Sequence, residues 1–123
     1  MCGISGIINF NRLSKTDALE KQLKSMTELL KNRGPDAINY FYDKNFMFGH
    51  TRLSIIDLTS NGDQPMIDLS DRLVITFNGE IYNYKRIRKR LIRKGYKFRS
   101  NSDTEVILNG YLEYGLDTLL NML

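Results

Sequence analysis

An α+β fold of layered sheets and helices is predicted for this 123-residue chain by three observations. A strand-like stretch begins almost at the first residue. Helical periodicity appears in three places, each bounded by start or stop signals. The elements run strand, helix, strands, helix, helix, which fits a layered α+β sandwich better than alternating βαβ units. The order of strands within a sheet does not follow from the sequence.

In chain order, Gly3-Ile4-Ser5-Gly6-Ile7-Ile8 alternates small and β-branched residues and reads as the first strand. Ser14 and Asp17, three apart, resemble a weak helix start. Leu19, Leu23, Met26 and Leu30 recur at helical spacing, and Gly34-Pro35 is the expected stop. Ile38 to Tyr42 and Phe46 to Phe48 read as two short strands around the turn Asp43-Lys44-Asn45. Leu53 to Leu58 is a further apolar run, and Asn61-Gly62-Asp63 with Pro65 marks a loop. Leu73-Val74-Ile75-Thr76-Phe77 is the clearest strand, closed by Asn78-Gly79. A helix is expected from Tyr84 to Lys94, with Ile87, Leu91 and Ile92 inward and Gly95 at its end. Ser102-Asp103-Thr104-Glu105 has the pattern of a capping box before a helix through about Tyr114.

A chain of this length supplies one domain at most, with a core of ordinary size. The composition, 41% hydrophobic and 26% charged, is that of a globular protein. No apolar run approaches a membrane span, and the first residues lack the positive start of a secretory signal, so a cytoplasmic protein is expected. The single cysteine, Cys2, cannot form an internal disulfide or a cysteine-rich zinc site, and the single histidine, His50, weakens any Cys/His metal or catalytic pairing. His50 itself reads as a structural histidine with satisfied hydrogen bonds. The net charge of +4 is local: nine Lys or Arg and no acid lie between Lys85 and Arg99, leaving nine basic against fourteen acidic residues elsewhere. That run contains few aromatics and no recognised nucleic-acid motif. A solvated helix face, or one docking on an acidic partner domain, fits it better than a nucleic-acid surface.

Cys2 is the sharpest chemical feature. Methionine before a small residue is commonly removed, which would leave Cys2 with a free α-amine of pKa roughly 7.7–8.0. Such an amine can take the thiol proton directly or through one water, so nucleophile and base need no histidine. Taken alone, a cysteine near a terminus reads more readily as a small buried hydrophobe. Asn78-Gly79 offers a side-chain amide and a backbone N–H to a tetrahedral oxyanion, although an ordinary turn is the commoner meaning of Asn-Gly. Arg52 suits an α-carboxylate, and Asp103 with Glu80 suits an α-ammonium. The plainer alternatives are a surface arginine at a strand edge and a helix-start acid serving free N–H groups. Arg33-Gly34-Pro35-Asp36 reads as a loop that shapes a site rather than reacting.

Together, several strings carry a close resemblance: Met1-Cys2-Gly3-Ile4, Arg33-Gly34-Pro35-Asp36, Gly49-His50-Thr51-Arg52-Leu53-Ser54-Ile55-Ile56-Asp57, Gln64-Pro65, Phe77-Asn78-Gly79-Glu80-Ile81-Tyr82-Asn83 and Ser102-Asp103-Thr104-Glu105-Val106-Ile107-Leu108. In order and spacing they resemble the class II glutamine amidotransferase domain, an N-terminal-nucleophile hydrolase. The Arg-Gly-Pro-Asp, Arg-Leu-Ser-Ile-Ile-Asp and Asn-Gly-Glu-Ile-Tyr-Asn forms are similar to its asparagine synthetase branch.

The resemblance implies a four-layer αββα sandwich, incomplete at its C-terminus, with residues 2–123 as the N-terminal part of the amidotransferase domain. It implies that Cys2 attacks the side-chain amide of glutamine, that Asn78 and Gly79 hold the oxyanion, and that a glutamyl thioester is hydrolysed to glutamate. Arg52 would grip the substrate carboxylate, Leu53, Ser54, Ile55 and Ile56 would line the pocket, and Glu80 and Asp103 would hold the ammonium. No metal ligand or cofactor is implied in this chain; ATP and magnesium belong to a C-terminal synthetase domain that activates aspartate, and nothing here resembles an ATP-pyrophosphatase loop. The implied partners are glutamine and that synthetase domain, with a homodimer compatible and neither nucleic acid nor membrane expected. Family members continue beyond the apolar Leu119-Leu120-Asn121-Met122-Leu123, so a fragment is expected.

Overall fold

Residues 1–8 and 17–123 are described by the computed structural model of the chain, an α+β structure with two antiparallel sheets and three helices. Ser14 lies outside the described residues. Two compact units form. The first comprises Met1–Ser54, Asp63–Pro65 and Thr76–Asn78; the second comprises Ile55–Gly62, Met66–Ile75 and Gly79–Leu123.

In the first unit, β1 (Gly3–Ile8) and β2 (Ala37–Tyr42) flank the central β3 (Phe46–Arg52). Gly3 faces Thr51 across one ladder, and Ala37 faces Arg52 across the other. Strand alternation sends Ser5, Met47, Gly49 and Thr51 to one face, which α1 (Asp17–Glu28) covers. Leu23 and Thr27 of that helix are fully buried. The Thr27 hydroxyl bonds Ser5 Oγ at 2.7 Å and donates to the Leu23 carbonyl at 2.7 Å. On the opposite face lie Ile4, Asn39, His50 and the rings of Phe41, Phe46 and Phe48, the last two 5.1 Å apart.

Two expectations change here. β3 runs to Arg52 rather than stopping at Phe48, because as the central strand it is paired on both edges. The first helix stops at Glu28, short of Gly34-Pro35, and the chain leaves through a 3₁₀ turn at Lys31–Arg33 that delivers Gly34 to β3.

The second unit contains the short hairpin β4 (Met66–Ile67) and β5 (Val74–Ile75) and the helices α2 (Tyr84–Arg93) and α3 (Asp103–Leu120). Asp68 organises the hairpin loop, accepting from the backbone N–H groups of Ser70, Arg72 and Leu73 at 2.9, 2.8 and 2.6 Å. Burial opposes its charge, but these bonds and one from the Ser70 hydroxyl prevail and hold the carboxyl down at about 2. The strand expected over Leu73–Phe77 narrows to Val74–Ile75 because the flanking N–H groups are committed elsewhere. Leu73 donates to Asp68, and Phe77 donates to Gln64 Oε1 at 2.5 Å.

Ile87, Leu91 and Val106 form the core between α2 and α3, with Tyr84, Tyr96, Phe98 and Tyr114 around them. Ile92, expected inward, is 51% exposed, since residues 87 and 91 already fill the inward stripe. Gly95, at φ +95°, ends α2 in a Schellman motif: its N–H meets the Ile92 carbonyl at 3.0 Å, and the Tyr96 N–H meets that of Leu91 at 3.1 Å. Arg88 stacks on Phe98 and donates to the Ser100 carbonyl at 2.7 Å, while Lys85, Arg86, Lys89, Arg90 and Arg93 are exposed.

Ser102 caps α3 by accepting from the Thr104 N–H at 3.1 Å. The predicted capping box is only half formed. Glu105 reaches past Ser102 and accepts from the Arg99 and Ser100 N–H groups at 2.9 and 2.8 Å. The helix is interrupted where its end was expected: Gly115, just after Tyr114, is non-helical (φ 73°, ψ 175°), and a second helical stretch follows to Leu120. Among the described residues no helix is long and apolar enough to cross a membrane, and no three His, Cys, Asp or Glu converge as metal ligands.

Candidate active site

The β1–β3 ladder decides where the cysteine goes. With Gly3 opposite Thr51, the preceding Cys2 falls beside the end of β3. Its sulfur accepts from the Leu53 N–H at 3.3 Å and lies 3.7 Å from the Leu53 carbonyl oxygen. Cys2 is half-buried, and Met1 before it is 71% exposed, open to removal. Cys2 is thus less buried than the plainer reading of a small core hydrophobe expects.

The Arg33–Asp36 loop braces this corner. Arg33 Nε donates to the Cys2 carbonyl at 3.3 Å. Gly34 crosses so close to β3 that a Cβ there would lie 2.3 Å from the Thr51 carbonyl oxygen, a gap only glycine can occupy. The Asp36 N–H donates to the Arg52 carbonyl at 2.9 Å, and the Asp36 carboxylate accepts from the Ser54 N–H at 2.7 Å. Each of these contacts is to backbone, so the loop shapes the segment after β3, as its sequence suggested.

Arg52, at the end of β3, is 7% exposed rather than a surface residue, and its Nη1 pairs with Asp63 Oδ1 at 2.7 Å. A charge this buried needs a partner. Asp63, eleven residues on, was not legible as that partner, because no periodicity spans the irregular segment between them.

His50 is fully buried beside this pair, and neither ring nitrogen completes a hydrogen bond, against the expectation of a satisfied histidine. Burial pushes the imidazole down to about 4. The facing Phe77 backbone and Asp63 carboxylate oppose that shift, and the Arg52 guanidinium adds to it. Burial thus disfavours the charged form of His50. Asn78 follows Phe77 and is exposed.

In the second unit, Gly79 and Glu80 are exposed, Ile55 is 70% exposed and Ile56 is partly buried. Asp103 is 4% exposed and both its oxygens are engaged. Oδ2 accepts from the Ile81 N–H at 2.9 Å, and Oδ1 accepts from the Thr104 N–H at 2.9 Å. Asp103 thus serves its helix start and also ties down the segment that follows Gly79-Glu80. Its bond to Ile81 was not visible in the sequence. The structure brings Cys2, Arg52, Leu53 and Ser54 together in the first unit, and Asp103 with the Gly79–Ile81 segment in the second.

The glutamine amidotransferase domain family matches residues 1–123. The chain belongs to this family. Relatives include asparagine synthetase [glutamine-hydrolyzing] 1 of Bacillus subtilis, 46% identical over 93% of this chain and 18% of the relative. Asparagine synthetase [glutamine-hydrolyzing] 1 of Arabidopsis thaliana is 39% identical over 95% of this chain and 19% of the relative. A probable asparagine synthetase of Dictyostelium discoideum is 36% identical over 100% of this chain and 22% of the relative. The amidotransferase chain therefore spans about a fifth of the length of these relatives.

Proposed function

We propose that this chain is the N-terminal glutaminase part of a glutamine-hydrolysing asparagine synthetase. The observation that carries the reading is the seat of the Cys2 sulfur on the Leu53 backbone, directly after the buried Arg52. A thiol seated on the residue that follows a buried arginine suits a substrate with a carboxylate at one end and an electrophilic carbon along its chain.

With Met1 removed, the Cys2 amine takes the thiol proton and the sulfur attacks the carboxamide carbon of glutamine. A C–S bond forms, and the negative charge on oxygen is received by the Asn78 side-chain amide and the Gly79 N–H. The C–N bond then breaks, and ammonia leaves with the proton held on the amine. Water, deprotonated by the same amine, cleaves the thioester and releases glutamate. Arg52 holds the substrate carboxylate, Leu53 to Ile56 line its chain, and Glu80 and Asp103 take its ammonium. Residues 2–123 form the amidotransferase part of a four-layer N-terminal-nucleophile sandwich. The ammonia serves a C-terminal synthetase domain that uses ATP and magnesium to activate aspartate, in the cytoplasm, with a homodimer compatible.

The test is glutamate and ammonia release from glutamine by Met1-free protein and by Cys2→Ala. Release that Cys2→Ala abolishes supports the reading. Protein with Met1 removed that releases neither product contradicts it for this chain.

A further inference from the structure

Gln64 accepts the Phe77 N–H on its Oε1 at 2.5 Å, across thirteen residues, and is 6% exposed. At that position an adjacent strand would ordinarily supply the acceptor. A buried side chain supplies it instead, so one residue holds the Thr76–Phe77 peptide, one peptide upstream of the one that leads into Asn78. The Asn78 side chain is exposed and makes no hydrogen bond among the described residues. Its direction is therefore inherited from the backbone upstream, where Gln64 supplies the bond and fully buried His50 packs against the same Phe77 backbone.

We infer that Gln64 is a positioning residue for the oxyanion step, aiming the Asn78 amide through the Phe77 peptide. This rests on the glutaminase reading. Arg52 is held by the carboxylate of the preceding Asp63, which no substitution at Gln64 removes, so loss of the Gln64 bond is expected to affect the chemical step more than substrate affinity.

The experiment compares Gln64→Met, which keeps length but has no acceptor, Gln64→Asn, which withdraws the amide by one methylene, and Gln64→Glu, which keeps an acceptor in place. Asn78→Ala serves as reference. Met1-free protein is assayed for glutamine hydrolysis, and exchange of the Phe77 amide is followed by NMR; the unfolding midpoint checks that each variant is folded. In the Met and Asn variants the Phe77 amide is expected to exchange at least about tenfold faster. Their kcat is expected to fall about 10- to 100-fold, with KM within about threefold. Gln64→Glu is expected to restore slow exchange and most of kcat. Folded Met and Asn variants with wild-type exchange, or with fast exchange and unchanged kcat, overturn the inference while Asn78→Ala remains impaired. Wild-type protein without hydrolysis, or Asn78→Ala with full activity, overturns the glutaminase reading instead.

Discussion

The Cys2 sulfur lies 3.3 Å from the Leu53 amide nitrogen, although 51 residues separate them in the chain. The antiparallel register that sets Gly3 opposite Thr51 accounts for the meeting. A one-residue slip would turn every β1 side chain to the other face and carry the sulfur off the Leu53 backbone. The position of Cys2 is thus a property of the sheet, and disturbances to β3 should reach it.

Gly34→Ala is the most direct such disturbance. The added Cβ would meet the Thr51 carbonyl oxygen at 2.3 Å, its carbon at 2.4 Å and the Arg52 nitrogen at 2.6 Å, all of them backbone. No side chain can rotate away, so loop or strand must shift. Replacing glycine can gain about 0.4–1 kcal/mol from the unfolded chain. The clash outweighs that gain, and a net loss of about 2–4 kcal/mol is expected. Denaturant unfolding checks it, and an unchanged midpoint contradicts the close approach.

Asp103 separates two roles by substitution. Asp103→Asn keeps an oxygen for the Ile81 N–H but removes the charge proposed to attract the substrate ammonium. Its stability is expected to stay within about 1 kcal/mol of wild type, while KM for glutamine rises about tenfold or more. Asp103→Ala loses the backbone bonds as well and is expected to cost about 1–3 kcal/mol in stability. A KM for the Asn variant equal to wild type would leave Asp103 only its structural duty.

His50 gives stability a pH dependence of known sign. Its folded value, about 4, lies below the ordinary 6.5, so between these the unfolded chain binds more protons than the folded one. Stability therefore falls as pH drops from about 6.5 toward 4 and rises in the other direction. Asp68 contributes in a lower window, its stabilising charge being lost only as pH falls from 3.8 through about 2. Unfolding midpoints at pH 7 and pH 5 should differ less in His50→Gln than in wild type. An equal difference in both proteins would place the sensitivity elsewhere.

Much of the fold was legible because its signals are local. The alternation in Gly3–Ile8, the helical spacing of Leu19, Leu23 and Met26, the Gly95 stop and the Ser102 cap each depend on residues a few positions apart, and each appears in the structure. What misled was the assumption that a backbone N–H in an apolar run pairs with another strand. Leu73 and Phe77 donate to Asp68 and Gln64 instead, and a five-residue strand becomes two. Similarly, Glu105 had the spacing for Ser102 but serves the turn at Arg99–Ser100. For the candidate site, the residue types of Cys2 and Arg52 pointed to nucleophile and anion holder. Their buried surroundings did not follow, because the Arg52–Asp63 pair and the burial of His50 beside it depend on tertiary contacts without a repeat.

The central claim is that Cys2 is a nucleophile built for glutamine. Its most direct test is to treat Met1-free protein with an electrophilic glutamine analogue, with and without free glutamine, and to locate the adduct by peptide mass spectrometry. The account predicts one adduct, on Cys2, suppressed by glutamine and absent from Cys2→Ala. A Cys2 that stays unmodified, or is labelled equally whether or not glutamine is present, would contradict it.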